Sequence, residues 1–75
     1  MREALFKTNE SFVYVQDSWD GCVDYTIFNK RFFPIDGGII EDGDLMDLKE
    51  IVSSLVGESN IVKEVSIEEY ADMLF

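Results

Sequence analysis

The chain has no histidine, one cysteine and one proline, and only 6 of its 75 residues are basic. Without histidine it lacks the commonest general base, and a single cysteine cannot build a tetrahedral zinc site. Cys22 also cannot form an internal disulfide, which favours a reducing compartment, the cytoplasm, over secretion. No apolar run approaches membrane-spanning length, and the scattered basic residues give no lipid-binding helix face, so we expect no membrane contact.

Acidic residues dominate what is present: 16 of them give a net charge of −10. A charge of this size repels nucleic acids and anionic membranes and attracts basic surfaces, although it also serves solubility. Disorder is not expected, because 47% of the residues are hydrophobic and 13% are aromatic. The length predicts one domain over residues 1–75.

The first half of the chain has the pattern of strands. Residues 11–16 are β-branched and aromatic, and residues 22–28 alternate apolar and polar side chains, so we expect two strands joined by a loop. The stretch 32–41 contains Pro34 and two adjacent glycines, which are typical of an edge or bulged strand.

The second half has the pattern of helices. A helix starting near Leu45 and ending at Gly57 would turn Met46 away from an apolar stripe. That stripe consists of Leu45, Leu48, Ile51, Val52, Leu55 and Val56. A short strand at 61–65 follows, and Ser66 and Glu69 have the spacing of a capping box. The final helix would then bury Ile67, Tyr70, Ala71 and Leu74.

These elements predict an α+β fold in the order β-β-β-α-β-α, with residues 2–7 as an optional preceding helical turn. A small, mostly antiparallel sheet with two helices packed on one face is the simplest arrangement that buries both helical stripes.

Catalysis is not expected. The chain has no glycine loop that cradles phosphate, and Asp17, Asp20 and Asp24 have no evident pocket-forming partners. Carboxylates also crowd the turn at 41–47, but their spacing does not match an EF-hand, and acids at a helix start already stabilise it. We therefore predict no catalytic residues, no cofactor and no metal.

Trp19 and Cys22 each have a structural interpretation. We expect Cys22 to behave as a small apolar residue. Trp19 is interpreted as an aromatic lid on the sheet, with an interface anchor as the alternative.

The predicted partner-binding residues are acidic and form two groups. The first group is Glu41, Asp42, Asp44, Asp47 and Glu50, and the second is Glu64, Glu68, Glu69 and Asp72. If the helix starts at Leu45, then Asp44, Asp47 and Glu50 recur about every 4.5 Å, close to the roughly 3.4 Å charge spacing of one DNA strand. Whether the two groups share a face stays open at this point.

Part of the chain resembles a known family. Trp19, the stretch 24–28 (Asp-Tyr-Thr-Ile-Phe) and the stretch 35–38 (Ile-Asp-Gly-Gly) resemble large polyvalent protein-associated domains of phages and conjugative elements. The resemblance implies structural roles, with Tyr25 filling the buried face of the sheet and the two glycines allowing a bend. In size and charge the chain also resembles the small acidic anti-CRISPR and anti-restriction inhibitors of mobile elements.

The leading hypothesis is a non-enzymatic inhibitor in the host-cell cytoplasm. It would bind a basic host protein, such as a CRISPR or restriction nuclease, with DNA mimicry as one mechanism and without contacting nucleic acid directly. The alternative is a protein-interaction or dimerisation module that uses an apolar surface of Met46, Trp19 and Phe75, and a homodimer is left open.

Overall fold

The computed structural model describes residues 1–66, 68, 69 and 72. Its strands and helix are β1 (Glu3–Thr8), β2 (Phe12–Asp17), β3 (Val23–Phe28), β4 (Pro34–Ile40), α1 (Leu48–Val56) and β5 (Ile61–Val65). Short 3₁₀ turns at Gly43–Leu45 and Glu58–Asn60 flank the helix. The five strands form one sheet in the order β4-β3-β2-β1-β5, and every neighbouring pair is antiparallel.

The fold class predicted from the sequence is wrong. The described elements are mostly β, with one α-helix rather than two helices on one face, and their order is β-β-β-β-α-β. Of the predicted final helix, Ile67, Tyr70, Ala71 and Leu74 lie outside the described residues. The hydroxyl of Ser66 accepts a hydrogen bond from the Glu69 N–H at 3.0 Å, which is one half of the predicted capping box.

The predicted helical turn at residues 2–7 is also wrong, because this stretch forms β1, between β2 and β5. Ala4, Leu5 and Phe6 are all buried, since β1 has apolar contacts on both faces. A strand buried on both faces loses the alternation of apolar and polar residues that identifies a half-exposed strand. The short apolar run therefore had no periodicity to indicate its structure.

The predicted strands in the first half are confirmed. β3 places Val23, Tyr25 and Ile27 on the helix side of the sheet, in or against the main core. β4 is an edge strand, as Pro34 indicated, and it has a bulge. Phe28 pairs with Pro34 while Ile27 pairs with Asp36, so Ile35 is the extra residue.

The helix begins later than predicted. The chain takes a left-handed conformation at Asp42 (φ 57°), forms a 3₁₀ turn and then extends at Met46, so regular helix starts only at Leu48. Leu45 is consequently 84% exposed, and Met46 packs against the core instead of pointing away from it. Gly57 ends the helix as predicted, with φ 87° and its N–H bonded to the Ser53 carbonyl at 2.8 Å.

Apolar packing occurs on both faces of the sheet. Under α1, the fully buried side chains of Val13, Val15 and Val23 meet those of Ile51 and Val52. On the other face, Leu5, Phe12 and Val65 form a second cluster. Each fully buried aliphatic side chain contributes roughly 1.5–3 kcal/mol, so this packing fixes the sheet whose ends carry the charged loops.

Candidate partner-binding site

The sheet gathers distant segments of the chain at each of its ends. Since the strands alternate in direction, β1 and β3 begin at the end where β2 and β4 finish. Residues 1–2, 18–22 and 41–47 therefore meet at what we call the loop end. Residues 9–11 and 29–33 connect strands at the opposite, hairpin end.

Charge is segregated between these two ends. The loop end has Arg2 as its basic residue, and its acidic residues are Asp17, Asp20, Asp24, Glu41, Asp42, Asp44 and Asp47. The hairpin end carries Lys7, Lys30 and Arg31, against Glu10 and Glu58; the turn that holds Glu58 lies there because the Asn60 carbonyl accepts from the Asn9 N–H at 3.0 Å. These residues give the loop end a net charge of about −6 and the hairpin end about +1, so the molecule has a negative pole at the loop end.

A backbone hydrogen bond joins residues 18–22 to residues 41–47 at the loop end. The Asp44 N–H donates to the Gly21 carbonyl at 3.2 Å.

Burial raises the pKa of the Cys22 thiol, and the nearby carboxylates of Asp20, Glu41 and Asp42 raise it further. A thiol that resists ionisation in a field of carboxylates is a poor nucleophile, in line with the apolar role expected for Cys22.

Arg2 organises the loop end, although no pattern in the sequence indicates this role. Its Nε and Nη2 bond the Asp17 carboxylate at 3.0 and 2.9 Å, while Nη1 and Nη2 donate to the carbonyls of Met46 (2.6 Å) and Gly43 (3.2 Å). The Arg2 backbone N–H also donates to Asp17, at 2.8 Å. The hydrogen bonds from Arg2 lower the pKa of Asp17 from 3.8 to about 2. The Arg2 guanidinium therefore joins the β1–β2 pair to residues 43–46.

All nine predicted binding residues are exposed. Two of them also have a partner within the protein. Asp47 is the N-cap of α1 and accepts from the Lys49 N–H at 3.0 Å, and Glu69 pairs with Lys63 at 3.1 Å. Among the described residues, the other seven take part in no ion pair, so their charge is available to a partner.

The two predicted acidic groups meet only in part. Asp47 from the first group and Glu64 from the second line one open groove beside α1 and β5. The other charged residues that line it are Glu3, Glu58, Arg2, Lys49 and Lys63, so the groove has both signs of charge. Glu41, by contrast, lies near Cys22. The loop end and this groove of mixed charge therefore adjoin at Asp47, and the carboxylates of the first group do not form one continuous row.

The evenly spaced row of carboxylates expected at Asp44, Asp47 and Glu50 is not formed. Asp44 lies in a 3₁₀ turn, Asp47 is an extended N-cap, and only Glu50 is in the α-helix. The DNA-like spacing relied on a helix that started three residues earlier, so the geometric argument for mimicry is lost.

Trp19 is not a lid on the sheet. Its side chain is 85% exposed, which contradicts the favoured interpretation and leaves the interface anchor. Leu45 is also 84% exposed at this end. Their two loops are linked by the hydrogen bond between Asp44 and Gly21. The sequence predicted Trp19 on the sheet and Leu45 in the apolar stripe of the helix, whereas both side chains are exposed among acidic residues.

The described residues contain neither a cluster of metal ligands nor a membrane-spanning helix. No group of three or more metal-ligating side chains is arranged to hold an ion. In the same part of the chain, no helix has the length and apolar character needed to cross a bilayer.

Comparison with known proteins gives one match. The family model of large polyvalent protein-associated domain 16 matches residues 1–74. No curated protein and no solved structure matches.

Proposed function

Because the chain belongs to the family of large polyvalent protein-associated domain 16, we propose that it is a non-enzymatic binding module of a phage or mobile element. The family confirms the resemblance found on Trp19 and the stretches 24–28 and 35–38. We further propose that the partner is a basic host protein, a nucleic-acid-binding nuclease of the CRISPR or restriction type, and that binding takes place in the host cytoplasm and inhibits the nuclease.

The segregation of charge is the observation that carries this proposal. A soluble surface needs acidic residues but does not need them at one end of the sheet. Here the loop end combines exposed carboxylates, such as Glu41 and Asp44, with the exposed side chains of Trp19 and Leu45. Apolar anchors ringed by charges of one sign are complementary to an apolar cleft flanked by lysine and arginine.

The Arg2 contacts suit this role, because binding is tighter when the binding surface is ordered beforehand. Arg2 ties the carbonyls of Gly43 and Met46 to Asp17, which leaves the neighbouring acids on a fixed support. The negative pole would speed encounter with a basic channel, and occupation of the channel would exclude nucleic acid from it. Association should consequently slow as salt screens the charges.

A charge-reversal pair tests the proposal. We would measure competition with labelled DNA for purified CRISPR and restriction nucleases, using the variant Glu41→Lys/Asp44→Lys. The matched control is Glu10→Lys/Asp36→Lys, which changes net charge equally but lies away from both the loop end and the groove lined by Asp47 and Glu64. We expect the first variant to bind at least about tenfold more weakly, or about 1.4 kcal/mol, and the control to bind nearly as well as the natural chain. Equal losses in both would show that only net charge matters.

The exposure of Trp19 also favours the alternative, a protein-interaction module that relies on an apolar surface. Of the other residues assigned to that surface, Met46 packs against the core and Phe75 lies outside the described residues. Trp19→Ala separates the two functions. Loss of binding in Trp19→Ala, with full binding in the charge-reversal variant, would favour the apolar module over the acidic inhibitor.

A further inference from the structure

The exposed edge of the sheet at β4 points to a second binding surface, which borders the loop end at Glu41 and Asp42. β4 has β3 on one side and no described strand on the other. Ile35 and Ile39 on this strand are 61% and 65% exposed, and Phe33 just before it is 62% exposed. An apolar edge strand with free backbone groups is a template for pairing with another strand.

The two edges of the sheet differ. β5, at the other edge, carries Lys63 and Glu64 in its middle, and charged residues in an edge strand oppose pairing. β4 has Asp36 as its charged residue, and the Asp36 carboxylate accepts a hydrogen bond from the Gly37 N–H at 2.8 Å within the strand. Pro34 and the bulge at Ile35 oppose pairing at the start of β4, but the rest of the strand is apolar or glycine apart from Asp36, so pairing is expected at β4 rather than at β5. Pairing at Gly37 exchanges its N–H bond to Asp36 for one across the strands.

We propose that β4 pairs with β4 of a second copy of this chain, antiparallel and centred on Gly37, to join two sheets into one. In this register Ile35 of each copy lies opposite Ile39 of the other. Ile39 pairs with Asp24 on the face away from α1, and Ile35 is the bulged residue. Asp36 lies opposite Gly38, so the two carboxylates do not face each other across the strands. The sequence around Gly37 is thus self-complementary, as a two-fold interface requires.

The charge segregation favours this antiparallel arrangement. Lys30 and Arg31 lie beside the start of β4, and Glu41 and Asp42 lie directly after its end. Antiparallel pairing brings the basic turn of each copy next to the acidic turn of the other. A parallel pairing would instead place the acidic turns together. Charge complementarity thus favours a second copy of the chain as the partner of β4 and favours the antiparallel orientation.

Sedimentation equilibrium of the full chain over a range of concentrations tests the dimer. We expect reversible dimers, and we expect Arg31→Glu to weaken them about tenfold, because it replaces two attractive contacts with repulsive ones. Lys49→Glu on α1 makes the same charge change away from β4 and should leave the dissociation constant within about twofold. A monomer at all concentrations, or an equal effect of both variants, would overturn the proposal.

A charge exchange provides a second test that does not depend on loss of function. Arg31→Glu and Glu41→Arg each weaken self-association, but an equimolar mixture of the two variants should form heterodimers, since both ends of the interface then regain opposite charges. The doubly substituted chain should also recover self-association. Failure of both the mixture and the double variant to recover dimers would contradict the antiparallel register, even if the natural chain dimerises elsewhere.

Discussion

Gly43 packs closely against Val23 at the base of the loop end, and replacing Gly43 tests the packing of that region. Gly43 is buried in the 3₁₀ turn, and a Cβ placed on it would lie 2.7 Å from Val23 Cγ2 and 2.9 Å from Val23 Cβ. Carbon atoms pack favourably at about 3.5–4.0 Å, so the two segments would have to separate by roughly 1 Å. Val23 is fully buried and β-branched, and it has little freedom to rotate away.

We therefore expect Gly43→Ala to lower the free energy of unfolding by about 1–3 kcal/mol, the usual cost of overpacking a core. In a domain of this size the melting temperature should fall by about 5–20 °C. Thermal unfolding followed by circular dichroism and urea titration would measure both. The movement should also displace Asp44, so partner binding should weaken along with stability.

Gly38→Ala is the matched control. A Cβ at Gly38 would meet the Tyr25 hydroxyl at 2.8 Å, at the end of a half-buried side chain that can swing toward solvent, so we expect a loss below about 1 kcal/mol. Combining Gly43→Ala with Val23→Ala should recover part of the cost, because the clash is with Val23. Strictly additive losses, or a Gly43→Ala melting temperature within about 1 °C of the natural chain, would refute this account of the packing.

Two further predictions concern polar contacts of the loop end. The folded-state pKa of Asp17 is lowered to about 2, so its contact with Arg2 stabilises the fold above the ordinary carboxylate pKa and is lost as pH falls from about 4 through about 2. Melting temperatures measured across that range should fall less for Asp17→Asn than for the natural chain, and parallel curves would contradict the assignment. Asp47→Ala removes the N-cap of α1 and should cost about 0.5–2 kcal/mol in urea unfolding, whereas Asp47→Asn should retain most of the stability. An equal loss in both would mean that charge, rather than the capping hydrogen bond, is what matters.

Local patterns predicted several elements because the physical cause is local. β3 alternates apolar and polar residues over 23–27 because Val23, Tyr25 and Ile27 lie on the helix side of the sheet and Asp24 and Thr26 on the other face, and this alternation predicted the strand correctly. Pro34 marked β4 as an edge strand because proline cannot donate to a neighbouring strand. Gly57 ended α1 because its backbone conformation, φ 87°, favours glycine.

Errors arose where tertiary contacts override local patterns. Residues 3–8 give no strand signal because both faces of β1 are buried. Leu45 fits a helical stripe by spacing, but the turn after the left-handed Asp42 removes it from the helix. Trp19 was interpreted as a lid on the sheet because aromatic residues usually fill small cores, yet Phe6 and three valines of the sheet fill this core together with the buried side chains of α1.

The sequence by itself determined the excess of acid, the absence of histidine and the residues that carry the charge, since these are properties of composition. It also identified the acids of the candidate binding site, all of which are exposed. Only the tertiary structure decided how they are grouped. Strand order and direction bring residues 18–22 and 41–47 together and send Lys30 and Arg31 to the other end. Arg2 likewise meets Asp17 through strand pairing, fifteen residues away. Such pairings depend on long-range packing, which spacing along the chain does not encode.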